Sequence, residues 1–170
     1  MALGRLVDGG RIRRLCRGVY DFPRQHPRLG PLTPPLYLVA QAIARSGGLA
    51  LQPSGAQAAN ALGLSTQVPA QLEYYTDGSS RVVQVGKQVI RFRQATPKRL
   101  QGAGTTAGLV IQALRYMGRD GLTGDEAMSL ADRLDDSDKR KLAQLVPGAP
   151  AWMCPMLQRI AASSGHRAAS

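Results

Sequence analysis

The sequence holds 170 residues, 44% of them hydrophobic and 19% charged, enough for one ordinary domain or two small ones. That apolar share excludes a disordered chain, and no stretch approaches the roughly 18 consecutive apolar residues that a bilayer span requires. Twenty-two Lys and Arg against eleven Asp and Glu give a net charge of +11, more than solubility demands, and point to an anionic partner.

In chain order, Leu3, Leu6 and Val7 fall on one side of a short helix over residues 1–7, which Asp8-Gly9-Gly10 ends. Residues 11–22 carry β-branched and aromatic residues on both sides of Arg17-Gly18 and predict a two-stranded hairpin turning there. Residues 23–35 hold Pro23, Pro27, Pro31, Pro34 and Pro35 together with Arg24, His26 and Arg28. Proline stiffens such a segment without giving it a core, so it reads as a linker, with a domain break near residue 30.

Leu36, Val39, Ala40 and Ile43 then repeat at helical spacing until Ser46-Gly47-Gly48. Residues 49–51 read as a short buried strand, and Pro53-Ser54 opens a second helix that Gly63 stops. Residues 71–95 form the clearest β region. Leu72 to Thr76, an Asp77-Gly78 turn, Arg81 to Val85, a Gly86 turn and Lys87 to Arg93 predict a three-stranded antiparallel meander. Its last strand sets Ile90 and Phe92 on one face and Val89, Arg91 and Arg93 on the other. After a loop over 97–104 the chain turns helical: one helix through Leu109, Ile111, Leu114 and Met117, a second opened by the capping box Thr123 to Glu126, a third from Asp136 or Ser137 to Leu145, and a fourth over 152–160. Residues 164–170 read as a loose tail.

The charge is concentrated in two segments. Residues 1–34 carry seven Arg against Asp8 and Asp21, a net +5; residues 81–100 carry Arg81, Lys87, Arg91, Arg93, Lys98 and Arg99 with no acid, a net +6; the remainder balances. Clustering of this kind is the footprint of a phosphate backbone more than of a membrane surface, since neither segment is an amphipathic helix with a Trp or Phe face.

The chemistry-bearing motifs are few. Cys16 and Cys154 match no CxxC spacing and read as free thiols of a reducing, cytosolic compartment, and no secretory signal precedes them. Gly102-Ala-Gly104-Thr-Thr-Ala-Gly108 departs from the dinucleotide fingerprint in spacing and follows no strand directly. Asp135, Asp136 and Asp138 read as a helix-capping cluster rather than metal ligands, with Lys139, Arg140 and Lys141 behind them. Neither a catalytic constellation nor a cofactor site is expected, so the chain reads as a non-enzyme. Tyr74, Tyr75, Phe92 and Arg91 can be arranged as a stacking platform for single-stranded nucleic acid, or half of them can be core. A helix ending at a glycine turn, followed by a basic hairpin, has the order of the last helix and wing of a winged helix-turn-helix, or is a basic surface hairpin.

The run Ala2-Leu-Gly-Arg-Leu-Val-Asp-Gly-Gly-Arg-Ile-Arg-Arg-Leu-Cys-Arg-Gly-Val-Tyr resembles the recognition-helix-to-wing segment of the AbiEi family, the antitoxins of type IV (abortive-infection) toxin–antitoxin systems. Arg17-Gly18-Val19-Tyr20 with a following proline is its most telling part, and the likeness extends to about residue 95. The resemblance implies a bacterial DNA-binding antitoxin and transcriptional autorepressor. It implies promoter duplex DNA as partner and a nucleotidyltransferase toxin as counterpart, in the cytoplasm at the nucleoid and with no membrane. By position it places Arg5 near the end of the recognition helix and Arg11, Arg13, Arg14 and Arg17 on the wing. Family members carry two helices before this segment, so the resemblance implies a winged helix incomplete at its N-terminus, either because the start codon lies upstream or because the protein is truncated and its DNA affinity weakened or lost.

The expected fold is therefore α/β (α+β). A partial winged helix-turn-helix over 1–30 precedes a mixed domain over 31–163 with a small antiparallel sheet and several helices, and a tail over 164–170. The expected DNA contacts are Arg5, Arg11, Arg13, Arg14 and Arg17, with Lys87, Arg91 and Arg93 as a second strip on the sheet. The competing expectation is a protein-binding module that engages an acidic partner, the toxin included, or a single-stranded RNA-binding protein.

Overall fold

The computed structural model describes residues 2–28, 30–67 and 71–163. The expected tail over 164–170 and the side chain of Leu3 lie outside them. The fold is a mixed α/β arrangement with seven α-helices among the described residues.

Helix α1 (Ala2–Asp8) leads into the hairpin of β1 (Arg13–Cys16) and β2 (Val19–Asp21). The expected turn stands, with Arg17 and Gly18 between the paired residues Cys16 and Val19. The proline-rich segment is not bare linker. It folds into a small antiparallel pair, β3 (Gln25–His26) and β4 (Gly30–Pro31), before α2 (Leu36–Ser46) begins.

The expected strand over 49–51 is displaced to β5 (Gln52–Pro53), and α3 (Gly55–Ala61) follows directly. Strands β6 (Leu72–Thr76), β7 (Arg81–Val85) and β8 (Gln88–Gln94) lie where the sequence places them, but they do not form a meander. The order is β5-β6-β8-β7, with β6 parallel to β8 and β7 antiparallel to it. Two local facts explain the difference. Asp77 does not close a hairpin, because its Oδ1 accepts the N–H of Ala50 at 2.9 Å and ties the end of β6 to the segment before β5. Between β7 and β8, by contrast, Gly86 and Lys87 make a two-residue loop. Gly86 has φ +60° and no non-glycine residue among the described ones has positive φ, which is the pattern of a type II′ turn. The tight turn therefore lies at Gly86, and β8, whose Ile90 and Phe92 are 0% and 2% exposed, takes the central position.

The C-terminal half is helical: α4 (Thr106–Met117), α5 (Gly124–Asp132), α6 (Asp136–Leu145) and α7 (Cys154–Ala162). Two 3-10 turns, Val146–Gly148 and Ala151–Met153, carry the chain past Pro147 and Pro150, so the last α-helix starts two residues later than its expected 152. No helix is long and apolar enough to cross a membrane, among the described residues.

Two main clusters hold the fold. One gathers Val110, Ile111 and Leu114 of α4 with Leu130, Leu142, Leu157 and Ile160. The other sets Leu36, Val39, Ala40 and Ile43 of α2 on Tyr74, Val85, Ile90 and Phe92 of the sheet, and it includes Val19 of β2 with Leu15 and Cys16 against it. The hairpin is thus packed on the sheet across the proline-rich segment.

Candidate nucleic-acid interface

Pairing in the hairpin sorts its arginines. Arg13 opposes Asp21 and Arg14 opposes Tyr20. Residues paired across an antiparallel ladder share a face and successive residues alternate, so Arg13 and Arg14 point to opposite sides. Arg13 is half-buried: its Nη2 lies 2.9 Å from the Asp21 carboxylate, its Nε donates to the same oxygen, and it also donates to the carbonyl of Leu32. It fastens the hairpin to the segment leading into α2. Its Nε and Nη2 are both engaged within the protein, which sets it apart from the other arginines expected to contact DNA from the hairpin.

Arg14 faces the other way and is exposed, as are Arg5, Arg11 and Arg17. Arg14 Nε reaches the Cys16 carbonyl only at 3.4 Å, and the described ion pairs include none of these four residues. Tyr20, 38% exposed, stands beside Arg14 on this outer side. Cys16 lies between the two basic segments, close to Arg14 and to Arg81 of β7. Burial pushes its thiol pKa up, and the two guanidiniums oppose that without overcoming it.

The second basic segment does not stay together. Arg81 opposes Phe92 across the β7–β8 ladder, stacks on its ring at 5.3 Å and joins the hairpin side of the sheet. Lys87 sits exposed at the Gly86 turn. Arg91 and Arg93 share the opposite face of β8, where Arg91 Nε donates to Gln71 Oε1 at 2.6 Å and Arg93 Nε lies 2.8 Å from the Glu73 carboxylate. Arg99 is half-buried over Tyr75, with its guanidinium 4.6 Å from the ring centroid and a 2.8 Å hydrogen bond to the phenol oxygen. The expected strip of Lys87, Arg91 and Arg93 is exposed, but it is separated by the sheet from the hairpin arginines. Arg81, which the sequence places only within a cluster, is the residue of the second segment that extends the hairpin patch.

The tyrosine platform resolves into core. Tyr74 and Phe92 are 4% and 2% exposed and stack on each other at 6.3 Å, and Tyr75 is covered by Arg99. Alternation along β6 and β8 already required half of these rings to be buried.

Beside the hairpin runs a groove of about 540 Å³ whose walls include Phe22, Leu32, Tyr37 and Leu38. Phe22 is 75% exposed and Tyr37 52%. Hydrophobic periodicity carries no sign of this groove, because Phe22 and Leu32 come from opposite ends of the proline-rich segment.

No curated protein and no solved structure matches the chain. A family match covers residues 1–142, which takes in the hairpin, the sheet and the first helices of the C-terminal half. The protein belongs to DUF6088, a family of unknown function.

Proposed function

We propose that this protein is a DNA-binding antitoxin and transcriptional autorepressor, with the outer side of the β1–β2 hairpin as its duplex contact and a nucleotidyltransferase toxin as its counterpart. The observation that carries the reading is the register of that hairpin. It turns Arg13 inward and leaves Arg14 and the tip residue Arg17 exposed on a two-stranded ribbon, with Arg5 and Arg11 exposed on the preceding segment. Cations held on a ribbon and free of carboxylate partners neutralise backbone phosphates and release counterions, and a ribbon of this kind serves as a wing. In that role the protein works in the cytoplasm, at the nucleoid.

The test is a gel shift of the full chain on the duplex upstream of its own gene, at several salt concentrations. Removing one arginine–phosphate interaction lowers the slope of log affinity against log salt by about 1, so Arg14→Ala with Arg17→Ala lowers it by about 2. An unchanged slope removes the hairpin from the interface.

A second reading, a protein-binding module for an acidic partner, draws on one observation, the exposed apolar groove beside Arg24. Exposed aromatic and leucine side chains on adjoining segments are the usual anchors of protein contacts. Phe22→Ala with Leu38→Ala separates the two: it leaves the salt slope unchanged and abolishes neutralisation of the toxin on co-expression if the groove is the contact.

A further inference from the structure

Large apolar side chains left in water are few in this fold, and they are not scattered. Among the described residues seven are exposed, and four of them, Phe22, Leu32, Tyr37 and Leu38, line the groove beside the hairpin. Isolated exposed apolar residues need no explanation, whereas a contiguous set around a recess marks a surface that another surface covers. The groove is held in shape from within. Its walls come from both ends of the proline-rich segment, and Arg13 ties them by bonding the Asp21 carboxylate on one side and the Leu32 carbonyl on the other. The Leu32 N–H also donates to the Arg24 carbonyl at 2.8 Å, so the recess is preformed.

Two features of the groove identify its occupant. It carries both halves of a knob-and-hole contact: Phe22 is the most exposed large apolar side chain of the described residues, and the recess beside it, about 540 Å³, has room for a phenyl ring. Its charge is also balanced. Only Asp21 and Arg24 among the lining residues are charged, and they do not pair with each other. Both contacts from Arg13 go to Asp21 Oδ2, which leaves Oδ1 over, and the exposed Arg24 enters no ion pair among the described residues. The lining thus has no net charge in a protein whose formal charge is +11. Copies of so basic a chain repel each other across the outer side of the hairpin and across Arg91 and Arg93, and the groove is where they approach without that cost.

We propose that this groove is a two-fold interface with a second copy of the chain, in which Phe22 of each copy enters the recess of the other and Arg24 of each meets Asp21 of the other. In a two-fold contact one patch serves both sides. A projecting ring beside a recess, and a free cation three residues from a half-used carboxylate, are therefore self-complementary. A wholly acidic partner would satisfy Arg24 but set like charge against Asp21. Stable interfaces bury about 800 Å² and roughly 20–30 residues on each side. Nine residues line this groove, so the pairing is reversible, with a Kd in the micromolar range. Arg14 and Arg17 do not line it, so the proposal does not rest on the duplex reading.

The experiment is sedimentation velocity of the full chain from low micromolar to near-millimolar concentration. The mass rises from the 18.1 kDa of one chain to twice that value and stops there, because a two-fold contact closes on itself. Phe22→Ala weakens the pairing about tenfold or more, as loss of a central aromatic anchor does. Its Tm, measured at a concentration where the chain is single, equals the native one. Leu38→Glu, at another exposed position, has the same effect and serves as the test if the Phe22 variant fails to fold. Arg24→Ala weakens the pairing severalfold, whereas Arg28→Ala, which removes an equal charge outside the groove, does not weaken it. Arg14→Ala with Arg17→Ala also leaves the pairing intact, so this proposal and the duplex reading fail separately. A chain that stays at 18.1 kDa throughout overturns the proposal and leaves the groove to the acidic partner of the second reading. A dimer that persists with native affinity in folded Phe22→Ala and Leu38→Glu variants, or a mass that climbs beyond two chains, overturns it as well.

Discussion

Arg13 and Arg14 are adjacent and chemically identical, yet the pairing of β1 with β2 gives them opposite work. Arg13 closes on Asp21 and the Leu32 carbonyl with 30% of its side chain exposed, so Arg13→Ala lowers stability by about 1 kcal/mol, measured by urea unfolding, since partly exposed pairs contribute little more. Arg14 touches no carboxylate among the described residues, so Arg14→Ala leaves unfolding unchanged and alters only the salt dependence of duplex binding. The reverse pattern, a stable Arg13 variant with a reduced salt slope, would return Arg13 to the interface. Cys16, pushed up by burial despite its two arginine neighbours, stays a thiol at neutral pH and reacts with iodoacetamide more slowly than free cysteine.

Helix ends are the elements most legible in the residues, because caps are written within four positions. The Thr123 and Glu126 box forms as its spacing requires: Thr123 N–H donates to Glu126 Oε2 at 2.8 Å and the Glu126 N–H to Thr123 Oγ1 at 3.2 Å. Asp135 likewise caps α6 by accepting the Asp138 N–H at 2.7 Å. Thr123→Ala costs about 1 kcal/mol by thermal unfolding. The backbone and then the hydroxyl of Thr123 hold the Glu126 carboxyl below the usual glutamate range. A depressed folded-state pKa gives stability that is fully present above the unfolded value and fades as pH falls through the folded one, so the cap weakens in acid. Glu126→Gln removes that part of the acid dependence of Tm; an unchanged profile would show the box does not form in solution. At the head of α4, a Cβ on Gly108 would stand 2.1 Å from the Gly102 carbonyl oxygen. That is backbone and cannot swing aside, so Gly108→Ala destabilises by about 1–3 kcal/mol in urea. Gly102 and Gly108 thus serve close packing of loop on helix, while Gly104, with φ +78° and no atom within 4 Å of a Cβ, serves the turn.

At the scale of the whole molecule, the hairpin and the sheet share one cluster through Val19, which is 7% exposed. Val19→Ala therefore lowers both stability, by about 2 kcal/mol in urea, and duplex affinity, because it loosens the platform on which the ribbon sits. A loss of affinity without a loss of stability would mean that the hairpin is held by something else. The sheet also partitions the charge. Arg81 goes to the hairpin side, Arg91 and Arg93 to the other, and Arg99 to the layer beneath α4. The four arginines of this cluster thus fall into three separate environments, and only one of them extends the hairpin.

The residues by themselves determined the mixed class, the hairpin turn at Arg17 and Gly18, the buried face of Ile90 and Phe92, and the caps of α5 and α6. All of these depend on hydrogen bonds or periodicities that span a few positions. Tertiary structure alone decided that β8 lies between β6 and β7, that Arg13 is taken up by an internal ion pair, and that Phe22 and Leu32 meet Tyr37 in one groove. Each of those depends on which distant segment arrives next to which. The free energy of such pairings is settled by burial summed over the whole sheet and core, and a local pattern of residues carries no record of it.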